Sequence, residues 1–278
     1  MYMPERKYAM RHNRYYNDRR RRQQKKRFWQ LIQALLIIVF VLVIIIISIN
    51  VAQSIRRKNE ESTAAEQLNQ IVNEPEPATS SPESIANSPQ IFAEAQKLLQ
   101  QNPDLVGMIG FEDMALYVCQ AADNYYYASH RFDGSEDDAG MIFMDYRGSI
   151  WPMSDNIVLY GHNMRDGSRF GKLNRYTNID FLLEHPIFRF ASLYEVSDYT
   201  PFAVFYTTVD KSSENYFDFS QIDFSSENDF NQYVDSVVER SLYFIPLDVQ
   251  YGDQLLTLAT CDDAYDHGRL VIVCKKIS

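Results

Sequence analysis

Two residues with reactive side chains flank a short polar segment near the end of the chain. Cys261 ends an apolar run that begins at Leu255, and Arg269 opens the next one, which continues to Cys274. Both runs are typical of buried strands, and residues 262–268 between them are typical of a loop. A thiol beside a guanidinium favours its thiolate form, which is a nucleophile. A free cysteine is also commonly a small core residue, so this segment alone leaves both interpretations open.

A second apolar run ends in a group that can transfer protons. Residues 156–160 predict a strand, and Gly161 and His162 follow it. Histidine is the usual acid or base partner of a catalytic cysteine, so we expect His162 to take that role. His267 is nearer to Cys261 in sequence, but its loop position predicts a solvated side chain. The remaining histidines lie in polar or basic stretches: His12, His130 and His185.

Together these segments resemble the sortases, a family of cysteine transpeptidases. The resemblance rests on the Thr-Leu-Ala-Thr-Cys sequence that ends at Cys261, its downstream Arg269, and the Tyr-Gly-His-Asn-Met sequence that begins at Tyr160. The His-Asn-Met form indicates class B. The similar region spans residues 89–278, and further matches occur in the same order along it, at residues 102–107, 142–147 and 170–173.

The resemblance implies a mainly β fold: a sortase-type antiparallel β-barrel with an N-terminal helix and a helix in the long connection before the cysteine strand. The residue pattern agrees with that fold. Apolar residues recur at helical spacing in residues 89–101 and again in residues 226–240. Short apolar runs separated by polar connections predict the strands.

The resemblance also implies a role for each reactive residue. Cys261 attacks a backbone carbonyl of a sorting peptide and forms a thioacyl-enzyme. His162 protonates the departing amine and later accepts a proton from the incoming one. Arg269 stabilises the oxyanion or the substrate carbonyl. Thr260 and Asn163 are candidate substrate-binding residues. Whether a loop acid orients His162 stays open; the candidates are Asp262, Asp263 and Asp266.

The three cysteines do not form an even-numbered disulfide framework. Cys119 and Cys274 lie inside apolar runs, so we expect both to be buried free thiols. No Cys-x-x-Cys spacing suggests a metal site, and no metal or other cofactor is expected.

Charge is distributed unevenly along the chain. The first 27 residues contain eleven Lys or Arg and only two acids, although the whole chain has a formal net charge of -10. Residues 31–49, within a predicted membrane-spanning segment at residues 31–55, then form a nearly unbroken apolar run that is long enough to span a bilayer and too long for a typical signal-peptide core. The excess of basic residues before it predicts an uncleaved signal-anchor whose basic tail, residues 1–30, is cytoplasmic. Membrane topology explains this tail more simply than nucleic-acid binding, which we do not expect.

Residues 56–88 are rich in Glu, Ser, Asn and Pro, which predicts an extracellular linker with little structure of its own. A short helix within it, near residues 64–71, stays open. Residues 89–278 then form the catalytic domain, which the predicted topology places outside the cell membrane.

The expected function follows from the family that the chain resembles. It is a membrane-anchored cysteine transpeptidase of a Gram-positive type of cell envelope. Its substrates would be secreted surface proteins with a C-terminal sorting signal, and its second substrate would be an amine of a lipid II-type peptidoglycan precursor. The alternatives are a pilin-polymerising sortase, a cysteine protease that hydrolyses the same acyl-enzyme, and a non-catalytic binding module.

Overall fold

The computed structural model describes residues 5–73, 89–262 and 265–278. The α-helices are α1 (Glu5–Asn73), α2 (Ala93–Leu99), α3 (Ile179–Glu184) and α4 (Glu227–Arg240). Two 3₁₀ segments, Tyr126–Ala128 and Gly171–Thr177, lie between them in the chain. The chain divides into two compact units, with the boundary between Arg56 and Arg57.

The first unit is helical and exposes many apolar side chains, among them Leu36 and Ile46. The segment of α1 from Lys25 onward is long and apolar enough to cross a membrane by length and composition. The signal-anchor interpretation of residues 31–55 stays a prediction.

The second unit, Arg57–Ser278, is built on a closed eight-stranded barrel in the order β1-β2-β3-β4-β7-β8-β6-β5. The predicted mainly β fold is confirmed. Its strands are β1 (Leu105–Phe111), β2 (Met114–Cys119), β3 (Ile142–Met144), β4 (Asn156–Gly161), β5 (Phe188–Ser192), β6 (Val196–Thr208), β7 (Leu255–Cys261) and β8 (Gly268–Lys276). Among these strands the β2–β3 and β4–β7 pairs are parallel, and the other neighbours are antiparallel.

The alternation of side chains along each strand separates the barrel interior from its outer face. On β4, Ile157 and Leu159 belong to one buried apolar cluster, whereas Val158 belongs to another. The second cluster packs beneath α4, which contributes Phe230 and Tyr233. The two predicted helices are therefore present: α2 before the first strand, and α4 in the connection before the cysteine strand.

The structure differs from the predicted linker over residues 57–73. These residues form the last part of α1, and Ala64, Leu68 and Ile71 on one face are buried in a cluster with residues of α2, β1 and β2. The Leu68 side chain lies over Gly110, where an added Cβ would be only 2.6 Å from it. The folded unit therefore begins at Arg57 and not near Pro89. The composition of the sequence did not reveal this helix, because the three apolar residues at helical spacing are followed by a proline-rich stretch. That stretch, residues 74–88, lies outside the described residues.

Candidate active site

Strand register brings the three predicted catalytic residues to one end of the barrel. The parallel pair β4–β7 aligns Gly161 with Thr260, so the residues that follow them, His162 and Cys261, are neighbours at the ends of the two strands. The antiparallel pair β7–β8 aligns Cys261 with Arg269. Cys261 is therefore on the middle strand of three, with the imidazole on one side and the guanidinium on the other.

The ring of His162 is held between a backbone carbonyl and the thiol. Its Nε2 lies 2.7 Å from the carbonyl oxygen of Ala128, and because a carbonyl can only accept, Nε2 carries a hydrogen. The side chain also makes a hydrogen bond with Cys261, and this bond is the main cause that raises the pKa of His162. The Ala128 carbonyl raises this pKa further, whereas burial and the nearby Arg169 oppose the rise. The site therefore favours an imidazolium next to the sulfur.

Cys261 is exposed at the mouth of a groove with a cavity volume of about 610 Å³. His162 and Arg269 line the same groove. An exposed cysteine beside an imidazole and a guanidinium has the setting in which a thiolate is stable and accessible. The arrangement can therefore carry out nucleophilic chemistry on a substrate bound in the groove.

Arg269 is partly anchored by its own loop. Its Nη1 donates to the carbonyl oxygen of Gly268 at 2.8 Å and lies 3.4 Å from that of His267. A guanidinium has five N–H donors, so these contacts leave donors for a ligand in the groove. His267 itself is exposed, as its loop position predicted.

Thr260 and Asn163 both make internal contacts that brace the site. The hydroxyl of Thr260, buried beneath the groove, donates to the carbonyl of Gly161 at 2.8 Å. The amide of Asn163 donates to the carbonyl of Cys261 at 2.9 Å and accepts from Asn174 at 3.0 Å. These bonds tie the histidine segment to the cysteine strand, and direct substrate contact by either side chain stays a prediction.

Two of the other histidines pack against aromatic side chains. His130 stacks on Tyr126 with ring centroids 4.1 Å apart, and His185 packs against Phe181 at the end of α3. The side chain of His12 and the whole of Asp263 lie outside the described residues. The place at Nε2 that an orienting acid would take is occupied by the carbonyl of Ala128.

Sequence reasoning missed a polar network beside the groove, whose lining includes Tyr160 and Arg147. Tyr160 donates to the carboxylate of Asp145 at 2.9 Å, and Arg147 forms two hydrogen bonds of 2.8 Å with the same carboxylate. Arg147 also donates to the carbonyl of Ser220 at 3.0 Å, which fastens the connection between β6 and α4 to the barrel. These contacts keep the pKa of the buried Asp145 below its usual range despite the opposing effect of burial. The segment containing residues 142–147 had matched the family pattern, but its ion pair gave no separate sequence signal.

Cys119 and Cys274 are buried free thiols, as predicted. Burial raises the pKa of each, which keeps both protonated near neutral pH. Cys261 is thus the exposed thiol among the three cysteines of the chain.

Comparisons with known proteins agree with this geometry. Sortase B of Listeria monocytogenes is 35% identical over 193 residues, which cover 68% of this chain and 76% of the relative. The crystal structure of sortase B from Bacillus anthracis matches with a TM-score of 0.64 and 31% identity, over 78% of this chain and 95% of that one. A Staphylococcus aureus sortase B–substrate complex has the same fold, with a TM-score of 0.68 and 24% identity over 82% of this chain and 99% of that one. A scan against protein-family models finds no match.

The barrel, with a cysteine and an arginine on adjacent strands and a histidine beside the thiol, defines a sortase-type cysteine transpeptidase. The chain belongs to the class B sortases.

The hydrogen bond with Cys261 should be visible in the titration of His162. Because this bond is the largest cause that raises the pKa of His162, the Cys261→Ala variant should titrate at a lower pH than the wild type. The measurement is an NMR titration of the histidine ring protons, with the His162 signal assigned by its loss in His162→Gln. Cys274→Ser, which leaves Cys261 in place, is the control and should leave the His162 titration unchanged; an unchanged or raised pKa for His162 in Cys261→Ala would contradict this contact.

Proposed function

We propose that Cys261 is the nucleophile and His162 the general acid and base of a transpeptidation on sorting peptides. The observation that carries the proposal is the register of β4, β7 and β8, which puts an exposed thiol next to an imidazole with a raised pKa. The sulfur attacks the scissile carbonyl, and a tetrahedral oxyanion forms. The imidazolium then gives its proton to the departing amine, which leaves a thioester on Cys261.

Arg269 stabilises the oxyanion in this proposal. It lies beside Cys261 on the neighbouring strand, and the charge of a guanidinium persists at every physiological pH. Its contacts with the Gly268 and His267 carbonyls restrict its motion, so a donor is held near the groove before substrate arrives.

The acyl group then passes to an amine. Neutral His162 accepts a proton from the incoming amine, the nitrogen attacks the thioester, and the thiolate leaves. Because Cys261 is exposed at the groove mouth, a large nucleophile can approach it. We assign this nucleophile to the peptidoglycan precursor and the acyl donor to secreted proteins with a C-terminal sorting signal. We assign the sorting peptide to the groove that Cys261, His162 and Arg269 line.

The N-terminal part of α1 serves as the membrane anchor in the same proposal. The supporting observations are a helix long and apolar enough to cross a bilayer and the concentration of basic residues before it. The basic end would then be cytoplasmic, and the catalytic unit would face the cell wall.

Transfer to an amine distinguishes a transpeptidase from a protease. The protein is incubated with a fluorescent sorting peptide, with and without a peptidoglycan-type amine, and the products are resolved by mass spectrometry. A ligated product should accumulate only when the amine is present. Cys261→Ala should give neither product nor thioester, because no other group supplies the covalent step. Cys274→Ser is the matched control and should retain ligation in its folded fraction; hydrolysis alone in the presence of amine would show a protease.

Arg269→Lys separates directional hydrogen bonding from charge. Lysine keeps the positive charge but loses the planar fork, so we expect kcat/KM for the peptide to fall by about a hundredfold or more. Arg240→Lys, at the end of α4, is the control and should stay within about twofold. Near-normal activity of Arg269→Ala would show that another group binds the oxyanion.

The orientation in the membrane can be tested with protease on intact, wall-stripped cells. An antibody against residues 89–278 should lose its signal after treatment, whereas a tag placed before residue 1 should survive. Permeabilised cells are the control, since both signals should then disappear. Protection of the catalytic unit in intact cells would contradict the proposed topology.

A further inference from the structure

A cluster of buried charges connects the last part of α1 with the segments around His162. At its centre the carboxylate of Glu60 accepts from Arg169 at 3.0 Å and lies 3.5 Å from Nη2 of Arg131. The side chains of Arg169 and Arg131 are only 3% and 5% exposed. Glu60 is therefore shared by two buried cations from different loops.

Arg57 makes a second connection between the same two loops. Its guanidinium lies 3.0 Å from the carboxylate of Asp166 and 3.6 Å from that of Asp137. Asp137 is itself paired with Arg131 at 3.0 Å. Four ion pairs thus join α1 to residues 129–140 and to residues 163–170, and a fifth, Arg131–Asp137, lies within the first of these loops.

Both loops control the position of His162. The first loop follows Ala128, whose carbonyl binds Nε2 of the ring, and it is closed by a hydrogen bond from Asp137 N to Ser129 O of 3.0 Å. The second loop begins directly after His162, and Phe170 N donates back to the His162 carbonyl at 3.1 Å. A shift of either loop would therefore move the imidazole or its hydrogen-bond partner.

We propose that Glu60 and Arg169 are positioning residues for the transpeptidation, because Glu60, through its contacts with Arg169 and Arg131, holds the loops on both sides of His162 against α1. This inference rests on the proposed role of His162. It gives residues 57–73 a part in catalysis in addition to their part in the fold.

Removal of the Glu60 charge leaves Arg131 and Arg169 buried near each other with one fewer anion, which favours rearrangement of the loops. The backbone of Arg169 is held at a positive φ of 56°, so this residue depends on its surroundings to keep its conformation. Displacement of a catalytic group by about 1 Å is enough to slow a reaction strongly while substrate binding is nearly unchanged.

The Glu60–Arg169 ion pair should also affect the pKa of His162. The groups that act on the ring are Cys261 from β7, the Ala128 carbonyl, and Arg169 from the following loop. The charged side chains on the rest of the groove are Arg147, Lys211, Asp218 and Arg269. Because Arg169 lowers the pKa of His162 and Glu60 counters the charge of Arg169, neutralising Glu60 should lower this pKa, and neutralising Arg169 should raise it.

The test compares Glu60→Gln and Arg169→Gln with Glu66→Gln in the full chain in detergent micelles. Glu66 is exposed on the same helix, so its variant is the matched control. For Glu60→Gln we expect kcat for peptide transfer to fall about tenfold or more, with KM changed less than about twofold. The upper limb of the pH–kcat profile, where His162 loses its proton, should move to lower pH in Glu60→Gln and to higher pH in Arg169→Gln.

Every outcome of this test supports or overturns the inference about Glu60 and Arg169. A purely structural role would lower the folded fraction of both variants, measured by circular dichroism, without opposite shifts of the upper limb, and this result would overturn the inference. So would a Glu60→Gln variant that behaves like Glu66→Gln. If Glu60→Gln does not fold, Glu60→Asp replaces it and should keep the wild-type upper limb while kcat falls.

An active His162→Gln variant would refute the proposed function itself, whereas an unchanged Glu60→Gln with an inactive His162→Gln would refute only this inference.

Discussion

The active site depends on the parallel pairing of β4 with β7. That pairing sets Gly161 opposite Thr260 and thereby delivers His162 and Cys261 to the same edge of the barrel. A slip of one residue would turn the side chains of a whole strand to the other face, so the apolar alternation that fills the barrel also fixes the catalytic geometry. Gly161 is required here because an added Cβ would meet Ile142 and lie 2.9 Å from the ring of Phe170.

The meeting of Cys261, His162 and Arg269 at one site could be predicted from the sequence, because reactive side chains at the ends of apolar runs are visible as a pattern. The residues that hold those side chains could not. The partner of Nε2 is the carbonyl of Ala128, a group that every residue carries, so its role depends on the fold alone. The parallel relation of β4 and β7 was likewise hidden, because nearly a hundred residues separate the two strands in the chain.

The last part of α1 shows how composition can mislead. Arg57 follows an apolar run and resembles the basic residues that commonly flank a membrane span, yet only 8% of its surface is exposed. Glu60 lies in a stretch whose polar composition predicted a linker, yet it pairs with two buried arginines. In both cases the partners are far away in sequence, and a local window of residues contains no sign of them.

The positions of the three cysteines determine how the protein responds to oxidants. On the β7–β8 ladder, Cys274 pairs with Leu256, five residues from Cys261, which corresponds to about 17 Å along a strand. Cys119 is on β2, and β3 and β4 lie between it and β7, about 14 Å across the sheet. A disulfide requires Cα atoms within about 7 Å, so neither buried thiol can capture an oxidised Cys261. A sulfenic acid formed there would persist until a small external thiol reduced it or further oxidation made the damage permanent.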